Sequence, residues 1–364
     1  MSAISQTARQ PRIEGYPARN TTFEIAIGFL SALFVFGLFV DGWAHNHGKV
    51  DSSFFTPYHA IMYGSFALLG LALVGMQFYN VSKGHTFAKA LPYGYLTSLC
   101  GVLVFGFGGA ADMGWHLAFG IEIDLEALIS PSHLILVIGY LLILSGLIQA
   151  AWAQREKDHT WGTLWQTLVA WTGVLSVLLF IMQYVYLIND LDDLVGLRRG
   201  DAYEVGALGT SRFLISSLLF TGVLLMMLRR WRLPFGAITF VYGVSAALMG
   251  WMLVRDGFVT TYRTMMLLAI APAVLSGLVL DVLIWWLKPS SERIWTFYVL
   301  GGLAPLLVSL TYMVTIHIYG VMFEGGGLWW RVHMWLGVPM LAMIFGVLLS
   351  VLLWPPRVPQ EAEG

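Results

Sequence analysis

An aspartate and two histidines in the first part of the chain have the types and spacing of metal ligands. Asp41 and His45 are four residues apart, so on a helix their side chains lie on the same face. His59 ends a Thr-Pro-Tyr-His sequence, in which threonine is a good N-cap and Pro57 is favoured at the first helical position. A hairpin of these two helices brings one carboxylate beside two imidazoles, a donor set that suits copper, iron(II) or zinc.

The same pattern occurs a second time, with a Ser-Pro-Ser-His sequence in the second hairpin. The aspartate and its partner histidine repeat at an offset of 71 residues, and the histidine after the proline repeats at an offset of 74. One Asp-x3-His pair is common at helix ends, whereas two motifs in the same order twice indicate a pair of metal sites. The alternative is an ancestral duplication whose side chains now only form hydrogen bonds across each hairpin. The predicted metal ligands are Asp41, His45, His59, Asp112, His116 and His133.

The composition places these ligands in or beside a membrane. Of the 364 residues, 58% are hydrophobic and only 11% are charged, against about 45–50% and about 25% in soluble domains. So little charge cannot cover a folded surface in water, which excludes a soluble globular protein, and the apolar excess excludes a disordered chain. The formal net charge of −1 provides no basic surface for nucleic acid. The lone cysteine, Cys100, excludes an internal disulfide framework and a thiolate metal site.

The two aspartates are unusual in so apolar a chain. A carboxylate near lipid is costly and is usually paired or functional. Neither Asp41 nor Asp112 has a lysine or arginine beside it in the sequence. A bound cation would neutralise each of them, which favours metal binding.

Ten stretches are apolar and long enough to cross a bilayer, which takes about 20 residues. We therefore predict an all-α polytopic integral membrane protein with about ten transmembrane helices and a duplicated metal-binding helical hairpin. The repeat divides the chain into a four-helix region, 1–155, and a six-helix membrane region of unassigned role, 156–364. The predicted spans lie near residues 22–43, 57–79, 90–113, 131–153, 162–186, 208–228, 233–253, 262–287, 294–318 and 330–354.

The distribution of lysine and arginine predicts the orientation of these spans, because cytoplasmic segments are enriched in both. With the N-terminus inside, the inner segments carry 13 of the 20 basic residues, so both termini are predicted to be cytoplasmic. Seven of the nine histidines then fall at the outer side. We expect a protein of the cytoplasmic membrane of a prokaryote, with its metal sites toward the periplasmic or extracellular side.

The first hairpin resembles a known family. Asp41-x3-His45 followed by Asp51-Ser-Ser-Phe-Phe-Thr-Pro-Tyr-His59 looks like the copper-site stretch of the C subunit of copper membrane monooxygenases, which oxidise methane or ammonia. The resemblance covers roughly residues 30–140 and implies one copper site in each hairpin. The family has an Asn-x3-His motif where this chain has Asp112-x3-His116, and the resemblance does not extend to the six later spans.

The resemblance implies copper-dependent, O2-dependent hydroxylation of a small apolar substrate or ammonia, with partner membrane subunits or a cupredoxin-type copper protein. The alternative is a membrane protein that acquires, stores or delivers copper without catalysis. A transporter is disfavoured, because transporters place their ligands near the midplane on broken helices, whereas these candidates cluster at helix ends. The lipid bilayer is the one partner that the composition itself requires.

Other polar residues are weaker candidates. His317 and His333 flank the last outer turn and contribute either to a site or to anchoring at the membrane interface. Asp281, inside a late span, is either a proton-relay group or a hydrogen-bonded packing residue. A further set in the outer loops is expected to be solvated, the alternative being that they contact a metal or guide it in: His47, Asp51, Glu122, Asp124 and Glu126.

Overall fold

The computed structural model describes residues 13–49, 56–120, 125–154, 159–189, 191, 194–195, 202–253 and 259–355. The regular secondary structure in these ranges is helical, apart from one isolated β-bridge. The helices are α1 (Thr21–Asn46), α2 (Pro57–Ser82), α3 (Tyr95–Phe119), α4 (Leu125–Ile129), α5 (Pro131–Trp152), α6 (Trp161–Ile181), α7 (Ala202–Leu228), α8 (Ala237–Leu253), α9 (Val259–Leu287), α10 (Trp295–Phe323) and α11 (Val332–Leu353). Two single 3-10 turns lie at Phe87–Lys89 and Gln183–Val185.

Nine of these helices are long and apolar enough to cross a membrane, which confirms a polytopic integral membrane protein. The seventh predicted span, 233–253, corresponds to α8, which has 17 residues and is shorter than predicted. The reason lies at its start, where Gly236 has a φ of 88° and the chain is still in a turn. A helix of this length is about 25 Å long, close to the lower limit for a crossing, so whether α8 spans the bilayer stays a prediction.

The two helices that carry the Asp-x3-His motifs, α1 and α3, are each followed by a glycine with a positive φ. α1 is followed by Gly48 with a φ of 62°, and its N–H bonds to the carbonyl of His45. α3 ends at Gly120 with a φ of 87°, and its N–H bonds to the carbonyl of His116. Glycine adopts a positive φ without the steric cost of a Cβ, and the two N–H groups satisfy carbonyls in the last turn of each helix. Each histidine is thereby fixed in the last turn of its helix.

The chain forms two compact units: Met1–Phe34 with Ile61–Ala170, and Val35–Ala60 with Trp171–Gly364. Helices α1, α2 and α6 each contribute to both. The first hairpin's ligands belong to the second unit and the second hairpin's ligands to the first unit. The division of the chain at residue 155, which the sequence repeat suggests, stays a prediction.

Within the first unit, α3 and α5 lie against each other through glycines. A Cβ added at Gly101 would come within 2.6 Å of the Ile143 nitrogen, and one at Gly139 within 2.7 Å of Phe105 Cβ. Only glycine permits backbones to approach so closely. This contact fixes the end of α3 beside the start of α5, where the second motif's residues lie.

Within the second unit, α7 packs on α10 and α11, and α9 packs on α8 and α10. The end of α1 is anchored there too. Gly42 packs against Phe180 and against the sulfur of Met252, and the Asn46 amide donates to Gln183 Oε1 over 3.2 Å. These contacts hold the helical turn that carries the first motif.

Candidate metal centres

The first triad consists of Asp41 and His45 at the end of α1 and His59 at the start of α2. The Asp41 carboxylate lies between the two imidazoles: Oδ1 is 2.9 Å from His59 Nε2, and Oδ2 is 3.8 Å from His45 Nε2. Thr56 accepts a hydrogen bond from the His59 backbone N–H over 3.2 Å, as expected of an N-cap. The hairpin therefore brings together all three predicted residues of this motif.

The second triad consists of Asp112 and His116 at the end of α3 and His133 at the start of α5. Asp112 Oδ1 is 3.3 Å from His133 Nε2, and Oδ2 is 3.4 Å from His116 Nε2. Ser130 is the N-cap and accepts from the His133 backbone N–H, with Pro131 at the first helical position. The cap-and-proline prediction for this helix start is thus confirmed.

The spacing in both triads suits a metal ion. One donor atom from each residue lies within 4.8 Å of the other two. An ion bound about 2.0–2.2 Å from each donor needs donors roughly 3.3 Å apart, and the four carboxylate–imidazole separations run from 2.9 to 3.8 Å. Small side-chain rotations would therefore bring the three donor atoms of either triad to coordination distance from one ion. The shortest of these separations, 2.9 Å between Asp41 Oδ1 and His59 Nε2, also fits a hydrogen bond.

Burial raises the cost of leaving these carboxylates unneutralised. The side chain of Asp41 is 17% exposed and that of Asp112 is 7% exposed. Among the described residues, the ion-pair partners of both are histidines, with no lysine or arginine. A cation between carboxylate and imidazoles would relieve this cost.

A chain of hydroxyl groups in the second triad was not predicted from the sequence. His133 Nδ1 is 2.8 Å from Ser130 Oγ, Ser130 Oγ is 3.2 Å from Ser132 Oγ, and the Ser132 hydroxyl donates to Asp112 Oδ1 over 2.8 Å. If His133 Nδ1 donates to Ser130, then Ser130 donates to Ser132 and Ser132 donates to Asp112. His133 Nε2 then carries the lone pair of the imidazole and faces the triad. Hydrogen bonds of this kind orient metal-binding histidines and carboxylates. The only signal in the sequence was a second serine between Pro131 and His133.

His317 and His333 do not join a triad. His317, on α10, packs edge-on against Trp335 with ring centroids 5.3 Å apart, and Gly327 lies against its ring. His333, at the start of α11, is exposed. Within the described ranges, only the two predicted triads group three or more metal-binding side chains.

Asp281 is a hydrogen-bonded packing residue in this structure. Its carboxylate accepts from the backbone N–H groups of Ile238 and Thr239 and from the Thr239 hydroxyl. It therefore supplies, from α9, the acceptors that the first turn of α8 lacks in its own helix. These contacts provide no support for the proton-relay alternative.

Two of the five outer-loop candidates, His47 and Glu126, lie within the described residues. His47 Nδ1 is 2.7 Å from the Trp43 carbonyl and its ring stacks on the Trp43 indole, with centroids 4.4 Å apart. Glu126 is exposed on α4. The remaining three, Asp51, Glu122 and Asp124, lie outside the described residues.

Comparisons with protein-family models, with curated proteins and with solved structures find no match to this chain.

Proposed function

We propose that this protein is an integral membrane protein that binds one copper ion in each triad. The observation that carries the proposal is the convergence of a carboxylate and two imidazoles from two helices, twice, with their donor atoms within 4.8 Å. Three protein donors leave coordination positions open, and imidazole suits copper, iron and zinc alike. Copper is proposed first because of the resemblance to the copper-site stretch of the monooxygenase C subunit.

Metal analysis of the purified protein tests this proposal. Protein loaded with Cu²⁺, Zn²⁺ or Fe²⁺ and then desalted is assayed for bound metal by mass spectrometry. We expect about two copper ions per chain, one in either His59→Ala or His133→Ala, and none in the double variant. His85→Ala, a histidine between α2 and α3 that is remote in sequence from both motifs, serves as the control and should retain both ions.

Three outcomes would contradict all or part of the proposal. Unchanged metal content in the double variant would show that any bound metal lies elsewhere. An absence of metal from the folded wild-type protein would support the alternative in which the triads form hydrogen bonds only. Preferential retention of zinc or iron would keep the sites but replace the metal.

The proposal includes a location for the sites. Counted along the chain, both triads lie at helix ends that face the side opposite the N-terminus. Because the predicted inner segments carry 13 of the 20 basic residues, we assign that side to the periplasm of a prokaryotic inner membrane. This assignment is tested by labelling, as described in the Discussion.

The reaction proposed is O2-dependent hydroxylation of a small apolar substrate or ammonia, together with partner subunits. It is supported by the resemblance around Asp41, His45 and His59 and by the open positions of a three-donor site, which suit oxygen chemistry. When bound, copper would supply the redox chemistry, and the three side chains would hold it at the membrane boundary. One oxygen atom of O2 enters the substrate and the other leaves as water, so the reaction takes up two protons and two electrons from an added donor such as a quinol. With that donor present, we expect oxygen uptake that depends on an added hydrocarbon or ammonia and is lost in the His59→Ala and His133→Ala variants.

A second candidate is copper acquisition, storage or delivery without catalysis. The observation that favours it is the exposure of His45, whose side chain is 40% accessible, so that an ion in the first triad would be within reach of an external donor or acceptor. Copper that binds and exchanges with no substrate-dependent oxygen uptake, in the presence of the native membrane partners, would select this candidate.

A further inference from the structure

The two triads repeat each other in sequence but differ in what surrounds their carboxylates. In the second triad, hydroxyl groups of Ser130 and Ser132 connect the two ligand side chains His133 and Asp112. We infer that the second triad retains its metal ion while the first triad exchanges its ion readily, an inference that rests on the proposed metal-binding function.

The first argument concerns the hydroxyl chain itself. At the aligned positions, the first triad has Thr56 in place of Ser130 and Tyr58 in place of Ser132. Tyrosine has no hydroxyl on its β-carbon, so the short link from the cap residue to the carboxylate cannot be built there. The Tyr58 ring instead lies beside Trp43, with centroids 6.2 Å apart.

The second argument concerns what that chain does to a bound ion. Ser132 fixes one oxygen of Asp112, and Ser130 fixes the ring of His133, so both ligands are already oriented before an ion arrives. Removing such outer partners typically costs 10–100-fold in metal affinity. An ion leaves slowly from ligands that cannot rotate away.

The third argument is access. Asp112 is 7% exposed against 17% for Asp41, and His116 is 24% exposed against 40% for His45. His59 and His133, at the start of the second helix of each hairpin, show the opposite trend, because His59 is less exposed than His133. The difference in access is therefore confined to the residues at the end of α1 and α3. There, a competing ligand can reach His45 more easily than His116.

The test isolates each triad. Asp41→Ala leaves the second triad and Asp112→Ala leaves the first. Each variant is loaded with Cu²⁺ in detergent micelles and mixed with excess EDTA. Copper loss is followed as the EPR spectrum of the protein-bound ion is replaced by that of the Cu²⁺–EDTA complex. We expect the second triad alone to lose copper at least about 10-fold more slowly than the first triad alone.

A further substitution connects the rate to the hydroxyl chain. In the Asp41→Ala background, Ser132→Ala should accelerate copper loss by about 10-fold or more, and Ser132→Thr, which keeps a hydroxyl, should restore much of the slow rate. Ser82→Ala, at the exposed end of α2, is the matched control and should have no effect. The thermal unfolding midpoint of each metal-free variant confirms that it is folded.

The outcomes separate this inference from the proposed function. If neither single-triad variant binds copper, the metal-binding function fails. If both bind copper and release it at equal rates, or the first triad releases it more slowly, this inference is overturned while the function stands. Unaltered release in Ser132→Ala would overturn the role of the hydroxyl chain.

Discussion

The carboxylate of Asp281 on α9 accepts two hydrogen bonds from Thr239, the third residue of α8: one from its backbone N–H over 2.9 Å and one from its hydroxyl over 2.7 Å. A third hydrogen bond comes from the Ile238 N–H over 3.2 Å. The carboxylate thus acts as an N-cap that belongs to a neighbouring helix. It also faces the positive end of the α8 dipole, which stabilises a negative charge there.

Replacing this carboxylate should destabilise the protein without altering metal content. Asp281→Ala leaves the first N–H groups of α8 buried without an acceptor, at a cost of about 1–3 kcal/mol. Asp281→Asn keeps one acceptor oxygen and should cost less. Thermal unfolding midpoints in detergent should fall in the order wild type, Asn, Ala. Lower copper binding in a folded Asp281→Asn variant would contradict a purely structural role.

The close contact of α3 with α5 should be sensitive to a single methyl group. In Gly101→Ala the new Cβ would meet the Ile143 nitrogen and the Gly139 oxygen, so the helices must separate, at a cost of about 1–3 kcal/mol. Because α3 and α5 carry the second triad, its copper should be lost before that of the first. The control is Gly114→Ala on the same helix, where nothing lies within 4 Å of the added Cβ.

This prediction is checked by unfolding midpoints and by copper content in both glycine variants. Gly114→Ala should match the wild type or slightly exceed its stability, because alanine is the better helix former. Equal effects of the two substitutions would show that the close approach of α3 and α5 contributes nothing specific.

The orientation can be tested with a matched pair of lysines. Lys49 follows α1 and Lys83 follows α2, and each ammonium lies over an aromatic ring, 5.8 Å from Trp43 and 5.5 Å from Tyr79. In a Cys100→Ser background, Lys49→Cys should react with a membrane-impermeant maleimide in intact spheroplasts. Lys83→Cys should react only after permeabilisation. The reverse pattern would place the triads on the cytoplasmic side.

The last hairpin should not contribute a metal site. His333 is exposed and His317 is packed against Trp335, so neither has two further donors beside it among the described residues. His333→Ala and His317→Phe should each retain two copper ions per chain, measured by mass spectrometry. Loss of an ion from either folded variant would place a metal ligand in this hairpin.

The sequence by itself determined the helical membrane fold and the membership of both triads. A chain with 11% charge can satisfy its backbone polar groups in lipid in two ways, by long helices or by a closed barrel, and the stretches of about 20 apolar residues favour helices. The i, i+4 spacing of Asp41 and His45 and the cap-proline start before His59 are local rules. Predictions of this kind hold in the folded protein because each depends on the geometry of a single helix turn.

Tertiary structure alone decided the environment of each site. The α3–α5 contact brings Ser132 to Asp112, and the α8–α9 contact brings Thr239 to Asp281, across 20 and 42 residues of chain. The late start of α8 likewise follows from a glycine turn and from a cap supplied by another helix. Such relationships depend on the distance between helix backbones, which is set by packing at glycines on two helices at once and cannot be derived from either helix alone.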